Sequence, residues 1–164
     1  MSDLAFALTP KATLARPVQV GPWTITEITS DGLWSVSASD PATVAWPAVG
    51  RTENGVHRIG ADLAFVETDS APPAPSDGLW TTDQTDGWTR IEVTGGDLRP
   101  ALAYLISLDL GDPSFPNGAC ARTQAAHLSV ILTRKAADHW TLWTPRSSAE
   151  SFLHHLEEAC RTAL

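Results

Sequence analysis

Residues 70–78 carry Pro72, Pro73 and Pro75, so neither a helix interior nor a central strand can run through them. The segment has no hydrophobic period and a stiff, extended tendency. It splits the 164 residues into a first half, 1–80, and a second half, 81–164. At roughly 150 residues per domain, the two halves are expected to share one compact unit. Apolar residues make up 43% of the chain, which can supply a core without disulfides or metal.

In the first half, residues 23–29 and 33–38 are β-branched and aromatic, and Ser30-Asp31-Gly32 between them are turn residues; the pattern predicts a hairpin. Asn54-Gly55 is a second turn signal, followed by two short strands over residues 56–60 and 62–68. The first half therefore reads as β-rich.

The second half has a different grammar. Trp88, Arg90, Glu92 and Thr94 alternate with Thr89, Ile91 and Val93, giving a strand with both faces partly covered, closed by Gly95-Gly96. Asp97 is placed to cap a helix whose Leu98, Leu102, Leu105 and Ile106 fall at helical spacing, with Leu108 and Leu110 continuing the apolar face. Gly111, Pro113, Pro116 and Gly118 then force a loop. Alternation returns over residues 128–133 and 139–144, with a turn at 135–138. Beyond Pro145, Ser147 and Glu150 have the spacing of a capping box, and the helix behind them presents Phe152, Leu153, Leu156, Cys160 and Ala163 on one stripe. The expected fold class is α+β: a ferredoxin-like split β-α-β second half packed with a smaller β-rich first half.

Several functions lack their parts. Eleven Lys and Arg against nineteen Asp and Glu leave a net charge of −8, which cannot assemble a basic face for nucleic acid or an anionic membrane. The longest apolar run, residues 101–106, is far below the ~20 needed to span a bilayer. Asp3 stands where a signal peptide carries positive charge, which points to a cytoplasmic protein. Cys120 and Cys160 have no metal-type spacing and read as free, partly buried thiols. There is no G-x-G-x-x-G, G-x-x-x-x-G-K-[ST], G-x-S-x-G or H-E-x-x-H, and Gly95-Gly96 alone reads as a strand-to-helix turn rather than a phosphate cradle. His154 and Glu158 form an i, i+4 pair on a solvated helix face; His57, His127 and His139 read as isolated. The carboxylates Glu157-Glu158 and Asp109 with Asp112 read as charged surface.

The compositional oddity is seven tryptophans, at 23, 34, 46, 80, 88, 140 and 143, against one tyrosine. Three left together on a surface would expose about 450–750 Å², an area that calls for a partner. Trp140 and Trp143 lie three apart on one strand and must face opposite sides of it.

From residue 81 the order becomes specific: Thr81-Thr82-Asp83-Gln84-Thr85-Asp86-Gly87-Trp88, Leu108-Asp109-Leu110, Phe115-Pro116-Asn117-Gly118, Ala121-Arg122-Thr123 and Pro145-Arg146-Ser147. This set resembles the gamma subunit of heterotetrameric sarcosine oxidase over residues 81–160. The resemblance implies membership of an assembly that oxidatively demethylates sarcosine to glycine, with alpha and beta subunits as partners. It also implies FAD, FMN, NAD and tetrahydrofolate on those partners and none in this chain, which would be related to the folate-binding region of glycine-cleavage aminomethyltransferases.

On that reading the chain is a non-catalytic docking subunit. Trp80, Trp88, Phe115, Trp140 and Trp143 are the candidate apolar anchors, and Arg122 and Arg146 the candidate charged forks at the partner interface. No catalytic, cofactor or metal residue is expected in the chain itself. The alternative is a stand-alone folate-binding, aminomethyltransferase-like protein, for which Asp109 beside a tryptophan is the one nameable pterin-binding pair. An interaction module for another oxidase is a third possibility.

Overall fold

The computed structural model describes residues 12–29, 32–68, 70 and 74–164. Asp3, Ser30, Asp31, Pro72 and Pro73 lie outside the described residues. Among the described residues eleven strands form two antiparallel sheets, making the protein α+β.

The first sheet holds β1 (Val18–Val20), β2 (Trp23–Ile28), β8 (Trp88–Thr94), β11 (His139–Pro145), β10 (Leu128–Ala136) and β9 (Cys120–Ala125), in that spatial order. The second holds β4 (Arg51–Glu53), β5 (Val56–Arg58), β6 (Leu63–Glu67), β3 (Leu33–Ala38) and β7 (Leu79–Asp83). Two helices, α1 (Arg99–Leu102) and α2 (Ala149–Thr162), complete the fold. Strands β8 and β9, before and after α1, are held apart in their sheet by β10 and β11, the split arrangement expected of the second half. No helix among the described residues is long and apolar enough to cross a membrane.

Strand pairing cuts across the proline-rich segment. Val18–Val20 and Trp23–Ile28, from the first half, join the sheet of the second. This corrects the expected hairpin: both strands exist, but β2 pairs with β8 and β3 pairs with β6 and β7. Ile25 must lie beside Val93 on the helix-facing side, whereas Leu33 belongs to the cluster between the sheets, so one ladder cannot serve both. The sheets are nevertheless joined. The N–H of Thr52 bonds Gly118 O at 2.9 Å and the N–H of Cys120 bonds Gly50 O at 2.8 Å, so the start of β9 pairs with β4.

The first sheet is covered on both faces. On one, Ile91, Val93, Leu132, Trp140 and Leu142 pack with Leu98, Leu102, Phe152 and Leu156 in the larger core. On the other, Trp88, Ile131 and Trp143 meet Leu33 and Phe65 of the second sheet. Trp140 and Trp143 thus point to opposite sides, as their spacing demands, and both are buried.

Two local expectations are corrected. The first helix ends at Leu102, after a single turn, instead of running through Leu105 and Ile106. Leu98, Leu102 and Ile106 are buried all the same, because a short turn replaces the second helical turn. Asp97 still accepts the Arg99 N–H at 3.1 Å, but the helix cap position is Leu98. At α2 the capping box does not form. Residues Arg146–Ser148 make a 3-10 turn, and the N–H of Ala149 finds the carbonyl of Arg146, leaving Ser147 no capping role. At Asn54-Gly55 both residues take positive φ, 49° and 78°, as a two-residue hairpin requires. A Cβ on Gly55 would stand 2.6 Å from Glu67 O, so only glycine fits.

Candidate functional site

Alternation on β8 sends Ile91 and Val93 toward the helices and Arg90 and Glu92 toward the second sheet. Burying two charges demands partners. Glu67, at the end of β6, supplies the first: its carboxylate pairs with the Arg90 guanidinium. Arg90 also binds Glu92 at 2.8 Å, and Glu92 binds Lys135 of β10 at 3.0 Å. The second oxygen of Glu67 lies 3.2 Å from His57 Nε2. His57 Nδ1 is 3.0 Å from the Thr52 hydroxyl and 3.2 Å from that of Thr133. A hydrogen on Nε2 is donated to Glu67, and Nδ1 meets the two threonine hydroxyls, which can donate or accept. The Arg90 guanidinium lies 5.5 Å from the Trp143 ring centroid, and His57 meets the same indole edge-on.

His57 is therefore not isolated, as the sequence suggested, but 3% exposed at one end of an ionic chain that ties the sheets together. Sequence reasoning missed the chain; its one signal was two charges alternating with two core residues on β8.

Burial acts to raise the Glu67 carboxyl, but the His57 hydrogen bond and the charges of Arg90, His57 and Lys135 outweigh it and hold the group below 4.5. Glu92 is likewise lowered against its burial by Lys135, Arg90 and His139. The unfolded chain thus takes up protons from about 4.5 downward before the folded one does, so this stabilisation is complete above that pH and lost as pH falls through the folded values. The melting temperature is expected to drop as pH is lowered below 4.5, with a shallower slope in Glu67→Gln. Equal slopes in thermal melts would show that Glu67 plays no part.

The motifs singled out in the second half have structural positions. Phe115 stacks on Trp140, 5.9 Å between centroids and 4° between planes, and its carbonyl accepts from the buried Arg134 at 2.8 Å. Gly118, φ 77°, sits where the sheets join. The Arg146 Nε donates to Asp86 O at 2.9 Å and an Nη to Trp88 O at 3.3 Å, fastening the turn between β7 and β8. Ala121-Arg122-Thr123 forms the middle of β9.

Of the seven expected interface residues, Trp88, Phe115, Trp140 and Trp143 lie inside the chain's own cores, at 8%, 5%, 0% and 2% exposure. Sheet and helix layers cover both faces of the strands that carry the three indoles, and Phe115, on the loop before β9, packs against Trp140. Trp80, on β7 at the rim of the second sheet, is 57% exposed. Arg122 is exposed and its guanidinium lies 5.9 Å from the Trp88 ring centroid. Arg146 is half-buried by its turn contacts.

Asp109 accepts from the Gly111 N–H at 2.9 Å and from the Ser114 hydroxyl, so both oxygens close their own loop. A Cβ on Gly95 would stand 2.3 Å from Pro22 O, so Gly95-Gly96 is a close-packed turn with its space filled. The thiols of Cys120 and Cys160 are free, and burial pushes both up to about 11. Among the described residues no group of His, Cys, Asp and Glu is placed to hold a metal ion.

Together these features define an α+β protein whose charge clusters stitch its own layers, with an exposed indole and an exposed arginine at its rims. The chain is similar to one of the chains of the heterotetrameric sarcosine oxidase from Corynebacterium sp. U-96, solved in complex with pyrrole 2-carboxylate. Identity is 17% and the TM-score 0.71, over 86% of this chain and 85% of that one. No protein-family model matches, and no curated protein matches.

Proposed function

We propose that the chain is the small, non-catalytic gamma-type subunit of a cytoplasmic sarcosine oxidase-like complex. Its partners would be alpha and beta subunits, and the assembly would demethylate sarcosine to glycine and deliver the one-carbon unit to tetrahydrofolate. The observation that carries this reading is the end-to-end likeness: 86% of one chain on 85% of the other means two chains of nearly equal length and one shared fold. The residue set from Thr81 to Ser147 supports it independently. FAD, FMN, NAD and tetrahydrofolate are assigned to the partners, since Pro22 fills the one candidate phosphate cradle and Asp109 is engaged by its own loop. Docking is assigned to Trp80 and Arg122, whose groups reach the surface.

The test is purification of the tagged chain from its native host grown on sarcosine. The expected product is a yellow assembly containing two larger flavoprotein subunits, oxidising sarcosine with release of hydrogen peroxide. Recovery of that activity in a complex from which this chain is absent would overturn the proposal.

A further inference from the structure

The outer edge of β9 is paired at both ends and open between them. In the β9–β10 ladder, Cys120 N–H faces away from β10, since it bonds Gly50 O across the sheet junction. Backbone direction repeats every two residues, so the N–H and C=O groups of Arg122 and Gln124 face the same way. At the far end, Ala126 N–H also faces outward and bonds Leu105 O at 3.0 Å. Among the described residues Arg122 and Gln124 have no backbone partner on that side.

The gap has a cause. A strand continuing the track of β4 would cover Arg122, but the chain turns away, with Arg51 N–H bonded back to Ala48 O at 3.0 Å. An open depression of about 590 Å³ results, lined by Ser107, Arg122, Thr123, Gln124 and Ser129. Val49, 55% exposed, belongs to the chain that turns away. A gap of this kind is a template for an added strand.

Charge identifies the occupant. Arg122 has no carboxylate within ion-pairing distance among the described residues, and none of the other lining residues is charged. The chain carries −8 overall, so an acidic segment is repelled by most of the surface and accepted here.

We infer that an extended segment of a larger partner subunit adds to β9 in the gap between Cys120 and Ala126, with an acidic side chain on Arg122. The inference rests on the subunit reading above and names its contact. Gln124→Pro removes one outward N–H without touching the β10 ladder, and Arg122→Glu reverses the charge. Both variants should keep the wild-type circular dichroism and melt within a few degrees of it.

The experiment measures assembly of each with the flavoprotein subunits, together with amide exchange at Arg122 and Gln124. Expected are at least tenfold weaker assembly for each variant, fast exchange at both amides in the free chain and protection in the complex. If wild type fails to assemble, the subunit reading falls. If wild type and both variants assemble equally, the subunit reading stands and the β9 contact is wrong. Protection already present in the free chain and abolished by deleting residues 1–11 would make the chain's own N-terminus the occupant and also overturn the inference.

Discussion

Trp140→Ala is expected to destabilise the protein by about 4 kcal/mol, the middle of the range for aromatic truncations in a core. Trp140 is 0% exposed, stacks on Phe115 and carries the Arg134 guanidinium 5.5 Å from its ring centroid. Removing the indole opens a cavity between β11 and the loop before β9, and also takes away the surface on which a buried charge rests. Arg134 is 3% exposed and holds Asp112 and the Phe115 carbonyl, so the loop has nowhere to collapse without breaking those bonds. Trp140→Phe keeps a ring on which Phe115 can stack, and Trp140 Nε1 has no acceptor among the described residues, so this smaller truncation should cost roughly half as much. Urea denaturation of both variants checks the pair; equal losses would show that the stack contributes nothing.

The second large effect is expected at Arg90. Arg90→Ala leaves Glu67 and Glu92 facing each other across the sheet interface without the cation that bridges them, a loss of about 3 kcal/mol. The penalty belongs to the abandoned carboxylates more than to the missing bond. A triple variant, Glu67→Gln with Arg90→Met and Glu92→Gln, should therefore be more stable than Arg90→Ala alone, because it removes both carboxylates with the cation that bridged them and leaves only the more exposed Lys135 to turn to water. Denaturation at pH 7 decides it. A triple variant less stable than the single one would mean that the ionic chain stabilises the fold beyond satisfying itself.

The second half was more legible than the first, and the reason is the range of its contacts. Trp88–Thr94, Leu128–Ala136 and His139–Pro145 alternate so regularly that their two covered faces can be read from the residues alone. Trp23–Ile28 and Leu33–Ala38 were equally visible as strands, but their partners were not. Pairing is set by which layer each apolar face must reach, and β2 reaches β8 far along the chain. Strand β9 was missed altogether. Cys120, Arg122 and Gln124 alternate with small or polar residues and carry no hydrophobic period, since one edge of the strand borders the depression and only Ala125 and Cys120 are buried.

The ionic chain was hidden for a related reason. Arg90 and Glu92 were readable as alternating with core residues on β8, but His57 and Glu67 come from the other half of the sequence, where His57 read as isolated and nothing marked Glu67. The indoles misled in the opposite direction. Their abundance suggested an uncovered surface, whereas a sheet buried on both sides consumes large side chains on both sides.

Because Gly118–Cys120 pairs with β4 as well as leading into β9, backbone bonding passes from β1 across every strand to β7 without a seam. Among the described residues the two sheets are joined by main-chain bonds as well as by side chains. Trp80, on the outermost strand β7, and Arg122, on β9 beside the junction of the sheets, are linked by that one run of backbone bonds, and a neighbour that engages both meets a surface that need not be ordered first.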